Sequence, residues 1–390
     1  MALNIINARV VSDGAVRENQ TISIDGGTIK SVGERGAISG RTLDAGGLYA
    51  SAGFIDIHTH GAGGADYMDA TEDAFLTAGR ASAHNGATTV YPTTMSASNE
   101  ELFEVFNAFE RFRQTKYEGA DMPGLHLEGP YFSPRQSGAQ DPEYVRAPEP
   151  AEYEKILGYG RLIKRWSAAP ELQGALEFGK KLSDQGILPA IAHSDASLSE
   201  LRLALAYGYR LVTHFYCCVS ALRYQDGKCR PGIVEGSFLL DDVYIECIGD
   251  GIHVVPDLLH MCCKIKGPGR MALCTDSMRA AGTDSVSSIL GSLRNGRECY
   301  VEGGVARQVG TGIMAASVAT AERLLKTAVL SAGIKIADAV AMLSSTPAEI
   351  MGQTDRGRIR PGLRADVVLF DESMDLKCVI AGGRVIREEL

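Results

Sequence analysis

Short apolar runs of this chain end, one after another, in a histidine or a carboxylate, and this repetition is the feature that most constrains its fold. The runs are separated by segments with helical periodicity, so strand and helix alternate along the chain. Unrelated core histidines have no reason to collect at one end of successive strands. The residues that close four of the runs are Glu128, His193, His214 and Asp276.

Eight apolar runs have the length and spacing of buried strands in strand-helix units. Eight such units predict a closed parallel (β/α)8 barrel of the TIM type, in which functional groups cluster at the carboxyl ends of the strands. The runs begin near Gly53, Thr88, Gly124, Arg161, Ile187, Arg210, Val243 and Met271. Helices are predicted over residues 71–85, 100–117, 171–185 and 198–207.

Both ends of the chain show a different pattern, with alternating apolar and polar residues and Gly-Gly turns. This pattern predicts short antiparallel strands. The predicted fold class is therefore α/β, with a barrel over residues 51–354 and a small β-sandwich domain in which residues 1–50 and 355–390 pair. The glycine-bearing stretch 279–312 after the last barrel strand is a candidate lid or pocket wall.

A second pattern concerns the first barrel strand. Asp56, His58 and His60 occupy every second position, which turns their side chains to one face of a strand. Two imidazoles in an apolar run are costly to bury unless a cation or a hydrogen-bond partner occupies their nitrogens. The spacing alone leaves both readings open, and the repeated placement of similar residues at other strand ends favours the cation.

Composition excludes several classes of protein. A net charge of −9, with no block of lysines or arginines, argues against a nucleic-acid surface. No run of about 18 apolar residues and no basic-then-apolar leader pattern is present, which predicts a cytoplasmic protein without membrane association. The nine cysteines lack C-x-x-C spacing and are interpreted as reduced thiols, mostly core residues.

Several motifs together resemble those of the amidohydrolase superfamily, and within it of the N-acetylglucosamine-6-phosphate deacetylases. The resemblance spans nearly the whole chain. Its motifs are Gly53-Phe-Ile-Asp-Ile-His-Thr-His-Gly61, Leu125-His-Leu-Glu-Gly-Pro130, Ala168-Ala-Pro-Glu171, Gly249-Asp-Gly-Ile-His253, Thr275-Asp-Ser-Met-Arg279 and Ser345-Thr-Pro-Ala348. Leu-Glu-Gly-Pro is the most specific, because many relatives instead place a carbamylated lysine at that strand end.

The resemblance implies a divalent metal cofactor. Glu128, His193 and His214 would hold one ion and leave an open position for water. His58 and His60, sharing Glu128, would hold a second ion, so one or two ions are expected. A nitrogen and oxygen ligand set suits zinc or iron and does not choose between them.

The resemblance also implies the reaction, which is metal-dependent hydrolysis of the acetamide of an N-acetyl amino sugar to the free amino sugar and acetate. Asp276 would act as general acid and base, and His253 would polarise the acetyl carbonyl or bind the sugar. N-acetylglucosamine 6-phosphate is the expected substrate. Each histidine taken singly is open to a hydrogen-bonded core role, and His126 is interpreted as such a supporting residue, while His84 and His260 lie on predicted helices.

The substrate pocket departs from the family pattern. His214-Phe-Tyr-Cys-Cys218 replaces a segment with Asn-Ala that contacts the phosphate, so Cys217 and Cys218 are expected near the substrate. Gln140 stands where the family generally has a substrate-contacting histidine. Arg230 aligns with an arginine that a neighbouring subunit lends to the phosphate, which implies a homodimer, although a solvated loop arginine is an equal reading.

These departures leave alternatives open. The chain could deacetylate N-acetylgalactosamine 6-phosphate, an unphosphorylated N-acetylhexosamine or an N-acyl amino acid. A non-catalytic sugar-binding protein on the same fold is the other class, and the retention of Asp276 with all the metal-binding residues argues against it.

Overall fold

The computed structural model describes residues 2–33 and 39–390. Met1 and residues 34–38, which fall in the predicted N-terminal part of the small domain, lie outside the described residues. The strands are β1 Leu3–Ser12, β2 Ala15–Asp25, β3 Thr28–Gly33, β4 Arg41–Asp44, β5 Tyr49–Ala52, β6 Phe54–Thr59, β7 Gly61–Ala62, β8 Ala65–Asp66, β9 Ala87–Pro92, β10 Leu125–Glu128, β11 Ile163–Ala168, β12 Leu188–Ile191, β13 Leu211–Val212, β14 Arg223–Gln225, β15 Lys228–Arg230, β16 Tyr244–Ile248, β17 Met271–Cys274, β18 Ser287–Leu290, β19 Arg297–Glu302, β20 Val305–Gln308, β21 Met314–Ser317, β22 Val367–Phe370, β23 Leu376–Ala381 and β24 Arg384–Glu388.

Most of the helices lie between successive parallel strands along the sequence. The α-helices are α1 Glu72–His84, α2 Asn99–Phe112, α3 Pro150–Leu157, α4 Ala175–Asp184, α5 Leu198–Ala206, α6 Ile233–Leu239, α7 Pro256–Lys266, α8 Ala321–Lys326, α9 Ile336–Leu343 and α10 Ser345–Ile350. Short 3-10 turns cover Tyr67–Asp69, Pro134–Gln136 and Gly160–Leu162, and a π-helical turn covers Thr327–Ser331. Serine or threonine side chains cap α1, α2 and α5 at Thr71, Ser98 and Ser197.

The two ends of the chain meet in one eight-stranded sheet, which confirms the prediction that they pair. Its order is β24-β23-β22-β5-β1-β2-β3, with β4 paired to β1. β1 runs parallel to both β4 and β5, so the prediction of antiparallel strands is wrong for these two pairs. β22 runs antiparallel to β5, with Val368 opposite Ser51. Because the aliphatic residues of one face, such as Ile5, Ile22 and Leu369, are fully buried, the sheet has an apolar core of its own.

The middle of the chain contributes eight parallel strands. Six of them form a sheet in the order β10-β11-β12-β13-β16-β17, and β6 pairs with β9 in a two-stranded ladder. Parallel bridges at Thr93–His126 and Thr59–Ser277 connect that ladder to both edges of the six-stranded sheet. All eight strands begin within two residues of the predicted starts. Their carboxyl ends therefore lie on one side of the structure, and the predicted ligands stand at these ends.

Two of the predicted helices have wrong bounds. The helix predicted from residue 171 begins at Ala175, because the Glu171 carboxylate instead accepts hydrogen bonds from Ser194 Oγ (2.7 Å) and the Asp195 amide (2.6 Å). The helix predicted to residue 117 ends at Phe112, beyond which the chain turns and the Tyr117 hydroxyl donates to the Ala120 carbonyl. Tertiary contacts override local periodicity at both places.

The segment 279–312, predicted as a lid or pocket wall, contains three strands, β18 to β20, of a four-stranded antiparallel sheet that β21 completes. The Ser317 amide at the end of β21 donates to the Asp276 carbonyl (2.9 Å), which joins this sheet to the end of β17. Within the described residues no helix is long and apolar enough to cross a membrane. All nine cysteines are free thiols, as predicted.

Candidate metal-dependent active site

Three of the predicted site residues follow directly after a strand and share an uncommon backbone conformation. His193, His214 and Asp276 come two residues after the last residue of β12, β13 and β17, with φ of 46°, 30° and 46°. Non-glycine residues adopt positive φ at a cost and do so mainly where function or packing requires it. The backbone therefore turns at the strand ends in a way that brings these side chains over the carboxyl edge of the strands.

One group of ligands is built around Glu128, the last residue of β10. Its Oε1 lies 2.9 Å from His214 Nε2 and 3.2 Å from His193 Nε2, and the two Nε2 atoms are 3.2 Å apart. All three side chains are buried. Three donor atoms this close together can point at one ion.

A second group lies on the other side of the same carboxylate. Asp276 Oδ1 is 3.3 Å from His58 Nε2 and 3.2 Å from His60 Nε2. Glu128 Oε2 is 3.4 Å from His60 Nε2, and Glu128 Oε1 is 3.7 Å from His58 Nε2. The predicted ligands thus converge, with Glu128 placed between two groups.

The chemistry of these donors fits a divalent metal. His58 Nε2 is buried and forms no hydrogen bond with any of the described residues. The facing Nε2 atoms of His193 and His214 could satisfy each other only if one of them carried a proton, whereas a cation satisfies both lone pairs. Buried polar atoms are otherwise almost always paired.

Supporting contacts leave the Nε2 atoms of three histidines free for an ion. His193 Nδ1 lies 2.8 Å from the Gln136 carbonyl, and His214 Nδ1 lies 3.0 Å from the Cys217 carbonyl. His58 Nδ1 lies 3.0 Å from Glu246 Oε1. An Nδ1–H that donates to such an acceptor fixes the tautomer and orientation of a ligand imidazole.

Arg165 and Glu246 form a buried ion pair beneath the site that sequence analysis did not identify. Arg165 Nη1 donates to Glu246 Oε2 (2.5 Å) and to the Ile57 carbonyl (3.0 Å), and neither side chain is exposed. Burial works against the charged carboxylate, but Arg165 and His58 lower the pKa of Glu246 to about 2. The available signal was the charged residue in each apolar strand, Arg165 next to Lys164 in β11 and Glu246 in β16.

The histidines and carboxylates shift each other's ionisation. Burial disfavours all the charged forms, yet the charge and hydrogen bonds of His58 and His60 hold the pKa of Asp276 below its ordinary value. Glu128 is likewise held ionised, mainly by His58. In return Asp276 and Glu128 raise the pKa of His58 to about 9. Without a metal, protons on the histidines would offset the negative charge of Asp276 and Glu128.

His253 approaches the same cavity from the loop after β16. Its Nδ1 lies 2.7 Å from Asp250 Oδ2, which also accepts a hydrogen bond from Ser317 Oγ (2.9 Å). This arrangement leaves Nε2 as the ring nitrogen available to a ligand. Asp250 and Ser317 are further supporting residues that sequence analysis did not single out.

The cavity beside the candidate metal ligands contains most of the other predicted site residues. Its wall also includes apolar side chains from the end of the β18 to β21 sheet, Ile313 and Met314. The predicted residues that line it are His60, Glu128, Gln140, His193, His214, Cys217, Cys218, His253 and Asp276. Arg230 is exposed on the β14–β15 hairpin and does not line this cavity.

His126 has the supporting role predicted for it. Its Nδ1 lies 3.2 Å from Thr93 Oγ1 and its Nε2 lies 2.8 Å from Ser167 Oγ, so both ring nitrogens are engaged. The ring packs edge-on against His58 with centroids 4.7 Å apart. His84 and His260 lie on α1 and α7, as predicted.

Comparison with known proteins agrees with this geometry. The pattern of the Amidohydrolase family matches residues 49–386. The chain is 30% identical to N-acetylglucosamine-6-phosphate deacetylase of Vibrio furnissii, over 97% of this chain and 93% of that protein. It is also 30% identical to N-acetylgalactosamine-6-phosphate deacetylase of Escherichia coli O157:H7, over 85% of this chain and 86% of that protein.

Solved structures give the same result. N-acetyl-D-glucosamine-6-phosphate deacetylase from Mycobacterium smegmatis superposes with a TM-score of 0.88 at 28% identity, covering 99% of both chains. The enzyme from Pasteurella multocida superposes with a TM-score of 0.91 at 23% identity, also over 99% of both chains, which shows the shared fold. The chain belongs to the amidohydrolase family, and it is a hydrolytic enzyme that acts on an amide bond.

Proposed function

We propose that this protein is a metal-dependent deacetylase of N-acetyl amino sugars, with N-acetylglucosamine 6-phosphate as its foremost substrate. The observation that carries the proposal is the convergence of Glu128, His193 and His214 on one point beside Asp276. The relatives that bear the name of this activity match nearly the full chain. Free amino sugar phosphate and acetate are the products.

The proposal includes the finer architecture. The eight parallel strands, linked by the Thr93–His126 and Thr59–Ser277 bridges, would be a closed (β/α)8 barrel over residues 51–354. The sheet from both termini, residues 1–50 and 355–390, would be the small β-sandwich domain. The site then lies at the mouth of the barrel, where barrel enzymes place their chemistry.

Glu128, His193 and His214 would hold one zinc or iron ion, and His58 and His60 a second, with Glu128 shared between them. A bound divalent ion lowers the pKa of a coordinated water toward about 7 and polarises the carbonyl of the amide. The donor set of imidazole nitrogens and a carboxylate suits either metal.

The chain's own residues supply the proton transfers and the orientation. Asp276, ionised in the resting site, takes the proton of the attacking water and delivers it to the departing amine nitrogen. His253, held through Asp250, presents Nε2 to the acetyl carbonyl or to a sugar hydroxyl. Both groups face the cavity, so neither needs to move far to act.

Four residues keep the substrate role that the sequence implied. Cys217, Cys218 and His253 line the cavity, and Arg230 is presented on an exposed hairpin from which it could reach the phosphate in the site of a second subunit of a homodimer. Gln140 lines the cavity too, but its amide donates to Glu128.

N-acetylgalactosamine 6-phosphate is the second candidate substrate. The deacetylase of this compound from Escherichia coli O157:H7 is as similar to the chain as the Vibrio furnissii enzyme, at 30% identity. The two sugars differ only in the configuration of one ring hydroxyl.

An acetate-release assay tests the proposal. Protein reconstituted with zinc or iron is given both N-acetylhexosamine 6-phosphates and their unphosphorylated forms, and acetate and free amine are both measured. We expect stoichiometric acetate and amine from the 6-phosphates, with N-acetylglucosamine 6-phosphate turned over fastest. Absence of acetate from all four sugars with either metal bound would show that the proposed function is wrong.

A further inference from the structure

We infer that Gln140 is a positioning residue for the Glu128 carboxylate and not a substrate ligand. The inference rests on the proposed metal-dependent function. It starts from the observation that both ends of the Gln140 amide are already engaged by the protein. Gln140 Nε2 donates to Glu128 Oε2 (2.7 Å), and Gln140 Oε1 accepts a hydrogen bond from the Ser96 amide (2.8 Å).

The orientation of this amide follows from its partners. The Ser96 amide is only a donor, so it must face the carbonyl oxygen of Gln140, and this leaves the NH2 group facing Glu128. A carboxylate accepts, so the second contact is satisfied in the same orientation. Gln140 is 4% exposed, and its side chain therefore has little freedom to turn toward a substrate.

The loop that carries Gln140 is tied to the site at other points. The Gln136 carbonyl lies against His193 Nδ1 (2.8 Å), and Gln308 Nε2 donates to the Ala139 carbonyl (3.1 Å). Gly138 packs so closely on Cys218 that an added Cβ would lie 2.5 Å from its Sγ atom. The loop 136–140 thus contacts both a ligand histidine and the shared carboxylate.

The position of Glu128 explains why such a contact matters. Glu128 Oε1 faces His193 and His214, whereas Oε2 faces His60 at 3.4 Å. Each carboxylate oxygen has two lone-pair directions, so an N–H donor on Oε2 can occupy one and leave the other for an ion. The Gln140 hydrogen bond then prevents rotation of the Glu128 carboxylate and keeps one of its oxygens directed toward each ligand group. Its amide does this without a charge of its own.

Two substitutions separate this role from simple anchoring of the loop. Gln140→Glu keeps an oxygen for the Ser96 amide and the shape of the side chain, but it replaces the donor to Glu128 by a negatively charged oxygen. Gln140→Met removes both hydrogen bonds. Gln308→Met is the matched control, since Gln308 is also 4% exposed and anchors the same loop without touching Glu128.

The experiment measures Zn²⁺ binding by equilibrium dialysis, the visible absorption spectrum of the Co²⁺-loaded protein, and steady-state deacetylation. We expect zinc affinity to fall about 10- to 100-fold in both Gln140 variants, with an altered cobalt spectrum and a lower kcat, because outer contacts of this kind tune ligand geometry. Gln308→Met should keep the wild-type affinity and spectrum. Thermal unfolding of the metal-free variants shows whether each is folded.

Two results would overturn the inference. One is an unchanged zinc affinity and cobalt spectrum in Gln140→Glu, and the other is a raised KM for the sugar in Gln140→Met with metal binding intact, which is the signature of a substrate ligand. Failure of the proposed function is distinguishable from both, because wild-type protein would then bind zinc and release no acetate. If folded wild-type protein bound neither ion, both the inference and the proposed function would be wrong.

Discussion

At the scale of single residues, the site is a set of groups whose properties depend on their neighbours. The Asp276 carboxylate lies between His58 and His60. The charges of these histidines lower its pKa and keep it ionised despite burial. Glu246 is a carboxylate that Arg165 keeps charged in the core. Each of these residues supports a prediction.

Replacing Asp276 by asparagine removes the proposed proton acceptor and leaves the shape of the side chain. We expect acetate release to fall about 10²- to 10⁴-fold, the usual contribution of a general acid or base. Metal content, measured by plasma mass spectrometry, should stay at the wild-type level. Asp184→Asn is the control, since Asp184 is exposed and pairs with Lys180 on α4. Wild-type turnover in Asp276→Asn would remove Asp276 from the mechanism.

The Arg165–Glu246 pair predicts a pH dependence of folding. The pKa of Glu246 is lowered from 4.5 to about 2, so the pair contributes stability above pH 4.5 that is lost as the pH falls toward 2. The size of this contribution is about 3 kcal/mol. Urea unfolding of metal-free protein across this range should show a steeper loss of stability in the wild type than in Glu246→Gln.

At neutral pH, Glu246→Gln should also be less stable by about 3 to 5 kcal/mol, because it leaves Arg165 charged and unpaired in the core. The double variant Glu246→Gln with Arg165→Met removes both charges and should recover part of this loss. Equal pH slopes in the wild type and the single variant would show that the pair does not stabilise the fold.

At the scale of elements, the strands bring the ligands together, and the added sheet β18 to β21 closes one side of the cavity. Its last strand is joined to the site by the Ser317 amide, which donates to the Asp276 carbonyl. Met314 at the start of that strand lines the cavity. The stretch 279–312, predicted as a lid or pocket wall, does not line this cavity itself, and the residues that do, such as Met314, follow directly after it.

Shortening the Met314 side chain tests the contribution of this wall. Met314→Ala removes apolar contact that is made equally in the ground and transition states, so we expect KM to rise several-fold with kcat nearly unchanged. Met261→Ala on α7 is the control, because the Met261 side chain is exposed to a similar extent (36%) but does not line the cavity. Steady-state acetate release gives both constants. A lower kcat at constant KM would instead place Met314 at the reacting centre.

At the scale of the whole molecule, the ligands come from strands that lie far apart in sequence. Residues of β6, β10, β12, β13 and β17, or of the positions just after them, meet at one carboxyl edge. The proposed ion would therefore link several strand-helix units. Because such a site is assembled only in the folded state, metal binding and folding are coupled.

This coupling predicts how stability responds to metal removal. Chelation should lower the midpoint of thermal unfolding, and titration with zinc should restore it in a graded way. The stabilisation is about 2.7 kcal/mol when free zinc is at 100 times its dissociation constant. The variant His193→Ala should show a smaller response to zinc, whereas His84→Ala on α1 should respond like the wild type. A midpoint independent of zinc would argue against a structural link through the ion.

Much of the fold was predictable because its signals are local. The eight parallel strands are short apolar runs with clear starts, and each begins within two residues of its predicted position. Glu128, His193, His214 and Asp276 were recognisable because each stands where such a run stops. The wrong start at Glu171 shows the limit, since its carboxylate bonds to Ser194 and Asp195 beyond the reach of local periodicity.

The sequence by itself determined the alternation of strands and helices and the placement of imidazoles and carboxylates at strand ends, since both depend on spacing along the chain. Only the tertiary structure decided that Glu128 lies between two groups of candidate ligands, that Arg165 pairs with Glu246, and that Gln140 bonds to Glu128. The physical reason is that these contacts join residues 12 to 86 positions apart, and periodicity carries no information about which distant side chains face each other.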